Sequence, residues 1–156
     1  MIDLIVPRRL KDRSERYKRI VYKKIQDYIK NGSKGDLYLY GTPIESLPSN
    51  LKTVGGDLNL SESKILELPE GLTVNGYLRL GLTQITTLPS DLTVDGNLYL
   101  NWSQISSLPS NLKVGGGLYL SQTPLSEKYI IEQIRQMIED NGGYVIGEIR
   151  TSYLKF

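Results

Sequence analysis

The chain has 156 residues, 39% of them hydrophobic, a net charge of +2, and neither cysteine nor histidine. That is material for about one soluble domain, and it excludes a disulfide framework, thiolate or imidazole metal sites, and nucleophilic catalysis that relies on cysteine or histidine. No apolar run approaches the ~20 residues of a membrane span, and "MIDLIVPRRL" carries its charges after a short apolar stretch, the reverse of a secretory signal, so a reducing cytoplasm is the expected compartment.

The charge is unevenly spread. Residues 1–34 hold eleven Lys/Arg against four Asp/Glu, a balance of +7, while the other 122 residues hold eight against thirteen, or −5. Within the basic portion, "MIDLIV" alternates well enough for a short strand. "KDRSERYKRIVYKKIQDYIKNG" follows, and helical spacing places Tyr17, Ile20, Val21, Ile25, Tyr28 and Ile29 on one stripe that stops at Asn31-Gly32. A helix that caps a larger core explains this stripe. It does not explain the density of Arg8, Arg9, Lys11, Arg13, Arg16, Lys18, Arg19, Lys23 and Lys24. The ordinary reading is a solvated face. The sharper one is an acidic partner, protein or nucleic-acid phosphate, contacted by Arg8, Arg9, Arg13, Arg16, Arg19 and Lys23, with Tyr17 and Tyr22 interleaved.

From Gly35 onward the sequence repeats. The unit G-x-L-x-L-x-x-[TS]-x-[IL]-x-x-L-P-x-x-L-x-V-x starts at Gly35, Gly56, Gly76, Gly96 and Gly116, in steps of 21, 20, 20 and 20, with the last copy ending at Leu125. The L-x-L alternation predicts a short strand with inward leucines. The later Ile, Leu and Val positions must turn the chain back onto the same core. Pro48, Pro69, Pro89 and Pro109 cannot donate to a ladder, which places their segment on an irregular side. The glycines suit a corner that needs positive φ or close backbone approach. One coil cannot bury enough apolar surface to fold alone, whereas stacked coils share core and strand hydrogen bonds.

This pattern resembles a short leucine-rich repeat of the 20-residue Leu-Pro type found in bacterial secreted effectors. It is still more similar to arrays of the same style in bacteriophage and prophage proteins. The resemblance covers residues 35–125 and implies an α/β solenoid of about five coils, with a parallel β-sheet on one face and helical caps at both ends. It also implies a binding protein, such as a small viral inhibitor that modulates a host factor, for instance a defence component. The ligase activity of some effector relatives rests on a separate cysteine-bearing domain, which this chain does not supply. One departure stands out: the usual inward Asn after the strand is replaced by Thr42, Ser63, Thr83, Ser103 and Thr123. Buried hydroxyls need partners, and a ladder bonding the backbone of neighbouring coils is expected.

After the repeats, "SEKYIIEQIRQMIEDNGG" predicts a capping helix. Ser126 is its N-cap, Ile130, Ile131, Ile134, Met137 and Ile138 lie at helical spacing, and Asn141-Gly142-Gly143 is its stop. "YVIGEI" and "RTSYLKF" alternate as short strands whose pairing the sequence leaves open. The organisation expected is therefore 1–34 basic cap, 35–125 repeats and 126–156 second cap.

The positions left free by the repeat carry the functional signal. Tyr38, Asn59, Arg79, Tyr99 and Tyr119 lie between the paired leucines, Tyr77 precedes its strand, and Tyr40, Leu82 and Trp102 follow theirs. Tyrosine has good strand propensity, but Tyr, Trp and Arg are also the residues enriched at binding hot spots. Tyr38, Tyr40, Tyr77, Arg79, Tyr99, Trp102 and Tyr119 are accordingly the candidate partner-binding set. A five-strand face of ~19 by ~16 Å is well below the ~800 Å² per partner of a standard interface, so the expected ligand is a peptide or loop, or a protein that also touches a cap. Nucleic acid is the second choice and self-association a further one. No phosphate loop, metal cluster or nucleophile–base pair is present in the sequence, so neither an enzyme nor a cofactor or metal is expected. Asp36 and Asp57, equivalent in successive coils, read as rim carboxylates rather than a catalytic pair.

Overall fold

A computed structural model describes residues 8–152, with side chains from residue 12. The chain opens with α1 (Arg8–Lys30) and then winds as a parallel β-solenoid. Strands of two residues alternate between two sheets: β1 (Leu37–Tyr38), β2 (Thr53–Val54), β3 (Leu58–Asn59), β4 (Thr73–Val74), β5 (Leu78–Arg79) and β6 (Thr93–Val94). They continue as β7 (Leu98–Tyr99), β8 (Lys113–Val114) and β9 (Leu118–Tyr119). Two short helices, α2 (Pro124–Lys128) and α3 (Ile131–Asp140), interrupt the winding before β10 (Tyr144–Val145) and β11 (Ile149–Arg150). The odd-numbered strands form a six-stranded sheet, in the order β1-β3-β5-β7-β9-β11, and the even-numbered ones a five-stranded sheet.

The inward leucines are where the alternation places them. Leu58, Leu78, Leu98 and Leu118 are in register across the first sheet and fully buried. A second sheet was not part of the expectation, which had one sheet on one face. It arises from the Thr-Val or Lys-Val pair of each unit: β-branched valine suits a strand and points inward, fully buried at Val54, Val74, Val94 and Val114. Two residues are too few to show alternation in the sequence. The prolines lie in the irregular third side between the sheets.

The unit's glycine sits at the corner between the two sheets, and close approach is what requires it. Of the five, only Gly35 has positive φ. At the others the backbones of adjacent coils touch, with Gly76 N–H donating to the Gly56 carbonyl at 2.9 Å and Gly96 N–H to Gly76 at 3.0 Å.

The inward hydroxyls correct the expected ladder. Thr42, Ser63, Thr83 and Thr123 donate to the carbonyl three residues back in their own coil, on Leu39, Leu60, Leu80 and Leu120, at 2.6–2.8 Å. They tie down each coil's own turn instead of linking coils. Ser103 Oγ is buried without a partner among the described residues.

Both ends differ in detail from their expected caps. Among the described side chains of α1 only Val21 and Ile25 are buried, with Tyr28 and Ile29 packed beside them. Tyr17 and Ile20, expected on the same buried stripe, are 47% and 56% exposed: Tyr17 lies a turn beyond the buried Val21, and Ile20 is turned about 100° from it around the helix. At the far end one helix was expected and two are found. Thr123, the last of the inward hydroxyls, caps α2 and accepts from Ser126 N–H at 3.1 Å, so Ser126 is the third residue of the helix and not its cap. Tyr129 is extended, and α3 then buries Ile134 and Ile138 while Ile130 and Ile131 stay exposed. The stop at Asn141-Gly142 holds, with Gly142 at φ +81°.

The terminal strands pair with the last coil: β10 joins β8 and β11 joins β9. Residues 144–150 therefore repeat the Thr-Val-x-Gly-x-Leu-x phase of the unit, and the solenoid runs beyond the expected boundary at 125. Arg135 of α3 donates to the carbonyls of Val145 (2.9 Å) and Gly147 (3.2 Å), covering open backbone groups at the end of β10 and in the corner that follows it. The strand expected from "MIDLIV" and the end of "RTSYLKF" lie outside the described residues.

Candidate functional site

The outward positions of the six-stranded sheet form one continuous face. Its rim is set by side chains that precede each strand. Asp36 accepts the Asp57 backbone N–H at 2.7 Å and the Tyr38 hydroxyl at 2.8 Å. The Asp57 N–H and then the Tyr38 hydroxyl favour the charged carboxylate, holding Asp36 below its ordinary pKa. One coil on, Asp57 accepts Tyr77 N–H at 2.7 Å and the Arg79 guanidinium at 3.3 Å. Asn97 repeats the bond to Gly117 N–H at 2.8 Å. The two carboxylates are thus engaged as backbone acceptors, and asparagine performs the same task.

Above this rim the side chains interlock across successive strands. Arg79 lies 5.2 Å from the Tyr77 ring centre and 5.4 Å from that of Tyr99. Tyr99 stacks on Tyr119 at 4.7 Å with 16° between planes, and Tyr77 meets Tyr99 edge-on at 6.1 Å. Arg150 closes the row, 5.6 Å from Tyr119, and pairs with Glu148 at 2.8 Å. The sequence Arg79–Tyr99–Tyr119–Arg150 alternates favourable cation–π and ring–ring contacts, so the row is ordered before any ligand arrives. Because the tyrosines stack on each other, they do not form a flat plate, and their hydroxyls are engaged within the face. Asn97 donates to Tyr99 Oη at 2.8 Å, and the Tyr119 hydroxyl donates to Glu148 at 3.2 Å.

Arg150 and Glu148 were missed from the sequence. The signal for them was present: "YVIGEIR" at 144–150 aligns with "TVNGYLR" at 73–79, matching Val145 to Val74, Gly147 to Gly76 and Arg150 to Arg79. With β11 the face widens to six strands, roughly 24 Å at ~4.8 Å per step.

A second row follows the strands. Gly41, Glu62, Leu82, Trp102 and Gln122 occupy equivalent turns, all left-handed, at φ between +57° and +64°. Glycine takes this conformation without cost and a bulky L-residue does not. Leu82 and Trp102 nevertheless stand there, 55% and 45% exposed. Beside them Gly81 occupies a position held by Tyr40, Ser61, Asn101 and Ser121 in the other coils. Its missing side chain leaves a notch of about 220 Å³ lined by Ser61, Arg79, Leu82, Tyr99, Asn101 and Trp102. Leu82→Gly is expected to raise stability by about 0.5–1 kcal/mol, since relief of the left-handed penalty outweighs glycine's extra freedom in the unfolded chain. Thermal melting of the two proteins checks this.

Of the predicted set, Tyr77, Arg79, Tyr99 and Tyr119 interlock, and Trp102 joins them through the notch. Tyr38 and Tyr40 stand apart at the first edge, bonded to Asp36 and Glu62, and these acidic partners raise both phenol pKa values. In the basic helix, Arg13 and Arg16 share a stripe with Tyr17 and Ile20, at spacing i, i+3, i+4 and i+7. Lys23 is paired with Asp27 at 2.8 Å, and Lys24 donates to the Tyr38 carbonyl at 2.8 Å, fastening α1 to the edge strand. The Arg8 and Arg9 side chains lie outside the described ones.

Comparison with protein-family models, with curated proteins and with solved structures finds no match. Among the described residues, no helix is long and apolar enough to cross a membrane, and no group of three or more His, Cys, Asp or Glu side chains could hold a metal ion.

Proposed function

We propose that the chain is a non-enzymatic protein-binding module that grips its partner with the tyrosine face. The observation that carries this reading is the pair Leu82 and Trp102. Two large apolar side chains are kept exposed in a backbone conformation that costs stability, beside an aromatic notch, where the first coil uses Gly41. The neighbouring Arg79–Tyr99–Tyr119–Arg150 row supports it, being the hot-spot residue types already fixed in place and so losing little entropy on binding.

A face of six strands by ~16 Å still falls short of ~800 Å² per partner, so the ligand is a peptide or loop that seats one large side chain in the notch, or a protein that also touches α1. The likeness of the repeat to bacteriophage arrays supports a small viral protein that acts in the host cytoplasm on a host factor such as a defence component. The test is affinity capture from host extract with wild type and with Tyr99→Ala/Trp102→Ala/Tyr119→Ala, read by mass spectrometry. The triple variant should lose the partner at least a hundredfold while its circular dichroism and a cooperative melt, at a somewhat lower temperature for want of the ring contacts, show that the solenoid is still folded. Unchanged capture by a folded triple variant removes the face as the site.

Nucleic-acid binding through α1 is the second reading, favoured by its exposed Arg13, Arg16 and Arg19. It calls for an oligonucleotide mobility shift that collapses with added salt, which the protein-binding reading does not.

A further inference from the structure

Most of the first half of α1 is an uncovered surface among the described residues. The helix has 23 residues, and every side chain from 12 to 20 except Lys18 is exposed. Half a helix of this length is marginal in water unless something packs on it. Its stripe of Arg13, Arg16, Tyr17 and Ile20 is both apolar and basic, and these residues with Ser14 line an open hollow.

The solenoid carries a surface of opposite character. On its irregular side, Glu45, Glu62, Leu66 and Leu82 line a groove with Lys64 and Gln84, and Leu66 is 50% exposed. Leu82 is the ridge that separates this groove from the notch on the tyrosine face. The lengths agree: residues 13 to 20 of a helix span about 10 Å at ~1.5 Å per residue, and the groove crosses three coils, or two steps of ~4.8 Å. The chain's own helix does not fill it. Lys18 and Tyr22 lie against Pro43–Ser46, and at 3.6 residues per turn the Arg13–Ile20 stripe points to roughly the opposite side.

We propose that two copies of the chain associate by reciprocal exchange of this contact, the α1 stripe of each seated in the acidic, leucine-bearing groove of the other. The charge division supports a second copy as the occupant: residues 1–34 carry +7 and the remainder −5, so one chain holds both halves of the complementarity. Reciprocal exchange closes after two copies, whereas a one-way contact would continue into a ring or a filament. The proposal shares Leu82 with the binding reading but uses none of the stacked tyrosines, so charge reversals at Arg13, Arg16, Glu45 and Glu62 test it without altering that row.

Sedimentation velocity of the full chain at tens of micromolar tests it. The expected mass is twice 17.6 kDa at low ionic strength, with at least a tenfold weaker association between about 50 mM and about 500 mM salt as charges are screened. Arg13→Glu/Arg16→Glu and Glu45→Arg/Glu62→Arg should each be monomeric, with melting curves confirming the fold. Mixed one to one, they restore both charge pairings, and a heterodimer should appear. A monomeric wild type at low salt overturns the proposal, as does a dimer indifferent to either reversal, a mixture that stays monomeric, or assembly beyond two copies.

Discussion

Truncating Leu78 to alanine should cost about 3–4 kcal/mol of folding stability, within the range for a fully buried leucine whose surroundings cannot collapse. Leu78 has no exposed surface and sits between Leu58 and Leu98, its register partners on the strands before and after. The parallel ladder fixes those neighbours one strand spacing away, so the cavity stays open. Position along the solenoid matters as well. Coils contact only their neighbours, and stability is approximately a sum of coil and interface terms. A cavity in a central coil weakens two interfaces and should broaden the unfolding transition, while Leu37→Ala, in the first coil beneath α1, should mainly loosen that end. Urea unfolding followed by far-ultraviolet circular dichroism reads both. A loss below about 1 kcal/mol for Leu78→Ala would mean that the leucines do not share one tightly packed interior.

That interior is also what the amino-acid order reveals most directly. Leu-x-Leu, the following Ile, Leu-Pro and x-Val recur at one interval, and a recurrence of that kind has a single economical explanation, a stack of coils with a common core. What stayed hidden depends on features with no period. The second sheet consists of residue pairs, too short to alternate. The last coil is broken by α2 and α3, so its Val145, Gly147 and Ile149 fall outside the 20-residue interval although they continue its phase. Tyr17 lies one turn before Val21 on much the same helical face, Ile20 sits at the margin of the apolar stripe, and nothing local tells where the solenoid beneath the helix ends. At the site, the sequence places Tyr99 beside Tyr119 because strand spacing demands it. It puts Arg79 next in line for the same reason, but it does not show that Arg150 closes the other side, nor that Leu82 and Trp102 stand at positive φ. The turn containing them is recognised only by aligning Gly41 with four residues that are not glycine.

The second large effect is expected at a corner glycine. A β-carbon added at Gly76 would first collide with the Asp57 carboxylate, a side chain, and would also lie 2.8 Å from two main-chain atoms, the Gly56 carbonyl carbon and the Asp57 nitrogen. The last two obstacles are backbone, so relief requires coils 2 and 3 to part at the corner, where Gly76 N–H meets the Gly56 carbonyl and Tyr77 N–H meets Asp57. Gly76→Ala should therefore cost about 3 kcal/mol, the upper part of the range for overpacking. Gly71 provides the control. It has φ +68°, and a β-carbon added there would meet nothing within 4 Å, so alanine meets only the left-handed penalty of about 1 kcal/mol. Asn111 and Asp91 adopt the same conformation at the equivalent positions, which makes Gly71→Asn close to neutral. Denaturant unfolding should rank the three variants in that order. Parity between Gly76→Ala and Gly71→Ala would show that coil spacing yields at the corner. Tyr77 and Asp57 would then be held less firmly than their bonds suggest, and the ordered row that begins with Arg79 would lose its foundation.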